Sequence, residues 1–425
     1  MTFQYSRSFA HQLDEQDLLK DFRQWFHFPT NPLGEDLLYF CGNSLGLQPR
    51  TAKQALDAEL EDWAKYGVEG HFHGKNPWFH YHKFLTQHSA EIVGAKEHEV
   101  VVMNQLTVNL HLLMVSFYKP TTQKYKILME AGAFPSDMYA IESQVKFHGY
   151  EYDDAVIELQ PREGEHTLRH QDILDAIKTH KNELALVFFS GVQYYTGQLF
   201  NIQEITAKAH GVGAIAGFDL AHAAGNAFLK LHEWNVDFAA WCSYKYLNSG
   251  PGNVSGVFIH EKHGLNENTP RFAGWWGHKE DQRFLMKRGF IPEPGAAGWQ
   301  MSNAPVFGMA VHKASLEIFH KAGMKNLREK SKNLTAYLEY VLNYVQNHHS
   351  DISFEIITPK NPEERGAQLS ILVKENGKAL FDHITQKGVI ADWREPNVIR
   401  LAPTPLYNRF EDVFALGEIL KSFQL

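Results

Sequence analysis

Phe218-Asp219-Leu220-Ala221-His222, followed a short distance on by Trp241-Cys242-Ser243-Tyr244-Lys245-Tyr246-Leu247-Asn248, is the pair of stretches on which the reading of this chain turns. The first closes an apolar run from Gly213 with an acid, and the second closes a run from Val236 beside one lysine. A pyridoxal phosphate (PLP) site needs those two groups. An acid keeps the pyridine nitrogen protonated so that the ring accepts electrons, and a lysine amine holds the cofactor aldehyde as a Schiff base. The same residues also suit a strand-end Asp near an ordinary surface Lys, so the rest of the chain has to decide.

Upstream, a helix over 172–181 leads into Leu184-Ala185-Leu186-Val187-Phe188-Phe189-Ser190, a continuous apolar run of the kind found in buried parallel strands. Thr196-Gly197 turns the chain, and a helix over 202–210 precedes the strand that ends on Asp219. Strand follows helix follows strand, with chemically useful residues at the strand ends, as in an open α/β sheet. Val257 to His260 continues the series past Gly250-Pro251-Gly252. No G-x-G-x-x-G opens a helix after these strands and no G-x-x-x-x-G-K-[ST] occurs, which counts against dinucleotide and nucleoside triphosphate sites. Earlier, a strand over 99–103 runs into Asn104-Gln105-Leu106-Thr107, placing Thr107 at a helix N-terminus, where free N–H groups can hold a phosphate. A strand over 125–129 feeds Phe134-Pro135-Ser136-Asp137, whose aromatic can stack on a flat ring or simply join the core.

The flanks set the outer bounds. The chain has 425 residues and a net charge of -8, from 41 Lys+Arg against 49 Asp+Glu, and no basic run points to nucleic acid or an anionic membrane. Two cysteines, Cys41 and Cys242, are too few for a disulfide framework and fit a reducing cytoplasm. We expect neither a signal peptide nor a membrane span. An amphipathic helix is expected over 13–26, ended by Pro29 and Pro32. A strand and turn follow in Tyr39 to Pro49, where Gly42, Asn43 and Gly46 are expected to take unusual backbone angles. Helical periodicity over 51–66 puts Ala52, Ala55, Leu56, Leu60 and Trp63 on one side. The loop from Gly70 to His82 carries His71, His73, His80 and His82 with no Cys, Asp or Glu among them, so it reads as a shaped loop lending one His to a pocket rather than a metal site. From Phe307 long helices over 311–322 and 327–346, short strands over 352–357 and 368–373, and a last helix over 411–423 read as a smaller α+β domain. The expected division is 50–310 for a large PLP-binding α/β domain, with 1–49 plus 311–425 for the small one.

Taken together, Gly42-Asn43-Ser44-Leu45-Gly46, Leu106 to His111, Phe134 to Asp137, Asp219 to His222 and Ser243 to Asn248 resemble kynureninase, as do Gly274-Trp275-Trp276-Gly277-His278, Ser302-Asn303 and Ile399-Arg400-Leu401-Ala402-Pro403. The resemblance implies the fold-type I PLP-dependent transferase fold of the class V aminotransferase-like superfamily. That fold has a mostly parallel, seven-stranded central sheet flanked by helices. The implied enzyme is a homodimer with active sites at the subunit interface, hydrolysing the Cβ–Cγ bond of kynurenine or 3-hydroxykynurenine.

Residue by residue, the resemblance assigns Lys245 to the cofactor aldehyde, Asp219 to the pyridine nitrogen, Phe134 to the ring face, and Leu106 and Thr107 to the phosphate. Pro135, Ser136, Asp137, Ser190, His222 and Tyr244 lie nearby, and Tyr244 is the expected proton donor or relay. Trp275 and Asn303 are implied to come from the neighbouring subunit. Arg400 is expected to take the substrate α-carboxylate through a bidentate fork, with Ser44, His71 and Asn303 also at the substrate. His71 and Asn303 match positions near the aromatic ring in kynureninases that favour the 3-hydroxylated substrate, so 3-hydroxykynurenine is expected to be turned over at least as well as kynurenine. Asn253 and Trp276 depart from the family pattern and put local packing in question. The rivals are a cysteine desulfurase, for which neither cysteine is well placed, an aminotransferase, and a catalytically silent PLP-binding protein.

Overall fold

The computed structural model describes residues 2–424. Its centre is a sheet of β1 (Val100–Met103), β2 (Lys126–Glu130), β3 (Val156–Leu159), β4 (Leu184–Ser190), β5 (Ile215–Asp219), β6 (Phe238–Cys242) and β7 (Ser255–Ile259), in the order β1-β7-β6-β5-β4-β2-β3. Only β7 runs antiparallel to its neighbours. Strands covered on both faces must be apolar throughout, and every residue of β1, β6 and β7 is buried. The period of two still sorts their side chains: Val100 and Val102 enter one core, Val101 and Met103 the other.

Helices cover both faces. After α1 (Arg7–Glu15), which packs elsewhere, and α2 (Ala52–Tyr66), these are α3 (Lys83–Val93), α4 (Leu106–Phe117), α5 (Pro135–Phe147), α6 (His170–Thr179) and α7 (Ile202–Gly211). Leu113, Phe117 and Ile141 of α4 and α5 fill one core, and Leu85, Ile173 and Ile205 of α3, α6 and α7 fill the other. Helix α8 (Val306–Ala322) lies on α2 and α3, and α9 (Met324–His348) follows directly. A second, antiparallel sheet holds β8 (Phe354–Ile356), β9 (Leu369–Val373), β10 (Asp392–Arg394) and β11 (Val398–Leu401) in the order β8-β9-β11-β10. With α9, α10 (Gly377–Gln386), α11 (Phe410–Lys421) and α1 it encloses a separate core around Leu13, Leu338, Ile371 and Leu416. No helix among the described residues is long and apolar enough to cross a membrane.

Three local expectations need correction. The N-terminal helix is α1, six residues earlier than expected, followed by a 3-10 turn over Lys20–Trp25. Ser6 caps α1, and the carboxylate of Asp14 receives the N–H groups of Phe410 and Glu411, capping α11 instead of extending its own helix. Gly42, Asn43 and Gly46 do not take left-handed angles. Glycine is needed there for close approach: a Cβ on Gly46 would strike Asn248 and the Lys245 carbonyl, and the Gly46 N–H donates to the Tyr244 carbonyl at 2.8 Å. Helix α2 forms as expected, but Leu60 and Trp63 are exposed, and Trp63 meets the equally exposed Phe307 at 6.0 Å between ring centroids. Of the two departures, Asn253 donates to the Ser249 and Gly308 carbonyls and Trp276 is fully buried under the Arg283 guanidinium. Both are absorbed by local packing.

Candidate active site

The C-terminal edge of the central sheet gathers the chemistry. Strands β4 and β5 end in register, Ser190 opposite Asp219, and β2 ends alongside at Glu130. Lys245 follows β6 in a turn held by Asn248, which has a positive φ of 51°, tolerated by Asn, and by a 2.6 Å contact between the Ser243 and Ser249 hydroxyls. A cavity here is lined by Leu106, Thr107, Phe134, Ser136, Asp137, Ser190, Asp219, His222, Tyr244 and Lys245. Residues quoted from five separate stretches therefore converge on one space. Thr107 stands in the first turn of α4, whose N-terminal N–H groups have no intrahelical partner.

Electrostatically the cavity is a buried acid pair beside one amine. Burial pushes Asp219 above the ordinary carboxylate range. Asp137 is raised further, by burial and then by the Asp219 charge beside it. Asp219 Oδ1 accepts the Ala221 N–H at 2.6 Å, while Asp137 Oδ1 is buried without a donor. A carboxyl pair short of a cation fits a protonated pyridine nitrogen. The Lys245 amine lies 3.1 Å from His222 Nε2. Burial, then Lys245 and Arg400, hold His222 well below the usual imidazole range, so its neutral ring can accept from the amine. Burial pushes the Tyr244 phenol up, keeping it protonated at neutral pH. Phe134, 38 % exposed, has its ring centroid 5.5 Å from Lys245 Nζ, so it faces the cavity rather than the core. The donor set suits PLP: an amine, an acid pair, an aromatic face and a helix N-terminus.

Six expected residues lie outside this cavity. Pro135 occupies the first position of α5 and supplies its start rather than lining the space. Trp275, 45 % exposed, packs edge-on against Trp276 and Phe284, and Asn303 is exposed. His71 makes an edge contact with Trp78. Ser44 sits in the turn over Cys41, its N–H bonded to the Cys41 carbonyl. Arg400 is also outside, fully buried, paired with Asp392 and donating to the Tyr194 carbonyl at 2.7 Å. Its guanidinium is 6.0 Å from the Tyr194 ring, which does line the cavity.

Sequence reasoning missed Gln105, Val192, Tyr194 and Ala221 in the lining, and Glu130 behind Ser190. Gln105 and Ala221 adjoin quoted motifs and could have been found by extending them. Tyr194 lies in irregular chain after β4 and carries no local signal. A larger cavity of about 920 Å³ lies elsewhere, around Phe200, Phe228 and Arg328, and contains none of the expected site residues. Among the described residues, no metal-capable cluster includes His71, His73, His80 or His82.

The sheet, the connecting turn and the buried Asp–Lys pair define a fold-type I PLP-dependent enzyme. A C-DES variant with glycine covalently linked to its PLP cofactor superposes with a TM-score of 0.76 at 16% identity, covering 95% of this chain and 99% of that one. The family model for the kynureninase C-terminal domain matches residues 327–420. Kynureninase of Flavobacterium psychrophilum is 54% identical over 421 residues, 99% of each chain, and that of Myxococcus xanthus is 54% identical over 419, 99% of this chain and 97% of its own. The chain belongs to the kynureninase family, and its cofactor is PLP.

Proposed function

We propose that Lys245, Tyr244 and Asp219 carry out on this chain the hydrolysis of the Cβ–Cγ bond of L-kynurenine and 3-hydroxy-L-kynurenine, giving anthranilate or 3-hydroxyanthranilate and L-alanine. What carries the reading is the convergence of one buried lysine and a buried carboxyl pair on a single cavity at the sheet edge. When bound, PLP supplies an electron-accepting ring. Asp219, with Asp137 beside it, would hold a proton at the pyridine nitrogen, and the N–H groups at Leu106 and Thr107 would hold the phosphate. Phe134 would cover the ring, Ser136 and Ser190 would lend hydroxyls to it, and Pro135 sets the start of α5. The Lys245 amine would hold the cofactor aldehyde and serve as the base for the substrate α proton, with neutral His222 accepting from that amine and orienting it. Tyr244, kept protonated by burial, returns a proton to the three-carbon fragment. Arg400 takes the α-carboxylate, exchanging part of its contact with Asp392 as the 311–425 segment closes on residues 50–310.

The same reading makes the enzyme a cytoplasmic homodimer. Trp275, Asn303 and His71 lie outside their own cavity, and the surrounding Phe284, Leu285 and Met286 are exposed, as expected of a surface that a second copy covers. Co-expressing Lys245→Ala with Trp275→Ala should then restore activity neither variant has alone, because one site per mixed dimer is intact. The activity test is anthranilate fluorescence from both substrates without a keto-acid acceptor. A requirement for that acceptor would make the enzyme an aminotransferase, and PLP binding without turnover would make it a silent binding protein. His71 and Asn303 predict a kcat/KM for 3-hydroxykynurenine at least equal to that for kynurenine, and a strong preference for the unsubstituted substrate would remove them from the ring.

A further inference from the structure

Glu130, at the end of β2, is buried and, among the described residues, forms no ion pair with a lysine or arginine. Its carboxylate accepts the Ser190 N–H at 3.2 and 3.3 Å and, in a shorter contact, the Ser190 hydroxyl. Ser190 in turn lines the cofactor cavity and lies in register with Asp219. Glu130, Ser190 and Asp219 thus stand in a row across the ends of three neighbouring strands. We propose that Glu130 is a positioning residue of the cofactor site, one whose own protonation sets whether the Ser190 hydroxyl meets the cofactor as an acceptor or as a donor.

The geometry permits two arrangements. An ionised Glu130 only accepts, so the Ser190 hydrogen points at it and the hydroxyl offers lone pairs to the cavity. A neutral Glu130 donates its own O–H to Ser190 Oγ, and the Ser190 hydrogen turns toward the cavity. No covalent bond changes, and the proton exchanges with water. A second cavity of about 200 Å³ is lined by Glu130, His166, Gln193 and Tyr194 and not by Ser190, and it offers that proton a route.

The charges facing Glu130 are Asp219 from β5 and Asp137 from α5, with Lys245 beyond them and His166 across the second cavity. Burial pushes Glu130 up to about 7; the Ser190 hydrogen bonds pull it down and the Asp219 charge raises it. Both arrangements are therefore populated near neutrality. Three carboxyls cannot all ionise cheaply around one amine, and Glu130, which unlike Asp137 and Asp219 is not held down by the Lys245 charge, is the one that can yield its charge without releasing the pyridine nitrogen.

The inference rests on the cofactor assignment above, and the experiment separates the two. Infrared titration of the apoenzyme from pH 5.5 to 9 should show a protonated carboxyl band with a midpoint near neutrality that is missing in Glu130→Gln. PLP affinity of the apoenzyme should change roughly three- to tenfold across that midpoint in the wild type, the worth of one hydrogen bond, and not in Glu130→Gln. Ser190→Ala should move the carboxyl midpoint upward, since it deletes a donor favouring the ionised form, and should add nothing to Glu130→Gln in PLP affinity. The midpoint readout holds even where Glu130→Gln folds poorly, because it is taken in Ser190→Ala alone. An unchanged midpoint in Ser190→Ala, or a wild-type affinity profile in Glu130→Gln, overturns the proposal. Failure of wild-type apoenzyme to bind PLP overturns the cofactor assignment instead.

Discussion

Two buried aspartates sit at opposite ends of neighbouring strands of one sheet and are treated in opposite ways. Asp237, just before β6 at the N-terminal edge, is saturated: His210, His263 and Lys262 each approach it at 2.7 Å, and the Ala216 N–H donates at 2.8 Å. Burial raises its pKa, but the hydrogen bonds from His210 and His263 and the Lys262 charge outweigh this and hold it well below the carboxylate range. Asp219, at the C-terminal edge of β5, has one backbone donor, a second acid beside it, and a pKa raised by burial. Both environments are low in dielectric. One carboxylate is satisfied by the fold, whereas the other awaits a partner that the fold does not supply. In an open α/β sheet the ligand end lies at the carboxyl ends of the strands, and here the incomplete acid marks it.

The contrast can be broken most severely at its amine. Lys245→Ala should lower turnover by at least about 10⁴-fold and abolish the absorbance of covalently bound cofactor, and a variant retaining both would end the assignment. Asp219→Asn should cost about 10²- to 10³-fold in kcat, because the group that stabilises charge on the ring is lost. The same substitution should raise the Tm of the apoenzyme at pH 7. A carboxyl whose folded pKa is raised binds its proton more tightly when folded, so it costs stability as pH climbs from the ordinary carboxylate value through the folded one. A lower Tm would show that Asp219 is as well satisfied as Asp237.

Arg400→Lys sharpens the substrate side. Losing the planar fork should raise KM about 10- to 100-fold with a smaller change in kcat, and an unchanged KM would confine Arg400 to its pairing with Asp392. The smallest effect on chemistry belongs to Asp237→Asn. It should destabilise the protein by about 2 kcal/mol in denaturant melts while leaving kcat within about twofold, a cost kept modest because its three side-chain partners are partly exposed. The stability Asp237 contributes is present above the ordinary carboxylate range and is lost as pH falls through that range and below. The variant should therefore show a flatter acid limb than the wild type.

Much of the sheet was readable because buried strands must be apolar along their whole length, so Leu184 to Ser190 and the runs ending at Asp219 and Cys242 stand out locally. Thr107 was readable as a helix start and Phe134 as an aromatic past a strand end. The N-terminal helix was misplaced because Asp14 answers to α11, nearly four hundred residues away, and no local window contains that. Tyr194 and Glu130 escaped for the same reason, since each matters through neighbours that the sheet brings to it. The glycines of the 42–46 turn were assigned to unusual angles when their purpose is close approach, Gly42 to Thr404 and Tyr407 and Gly46 to Lys245 and Asn248.

By itself the sequence determined which chemistry was available: one lysine and one acid at the ends of apolar runs, a helix start able to take a phosphate, and an arginine held between apolar residues. Composition and local periodicity suffice for that, because strand burial and helix capping are short-range demands. Only the tertiary structure decided which groups share a space and what charge each carries. Sheet order placed Ser190 beside Asp219 and Glu130 behind it, and burial raised the pKa of Asp219 while hydrogen bonds from His210 and His263 and the Lys262 charge lowered that of Asp237. Desolvation and Coulomb terms depend on distances that no linear spacing encodes, which is why two similar aspartates become a reactive group and a structural one.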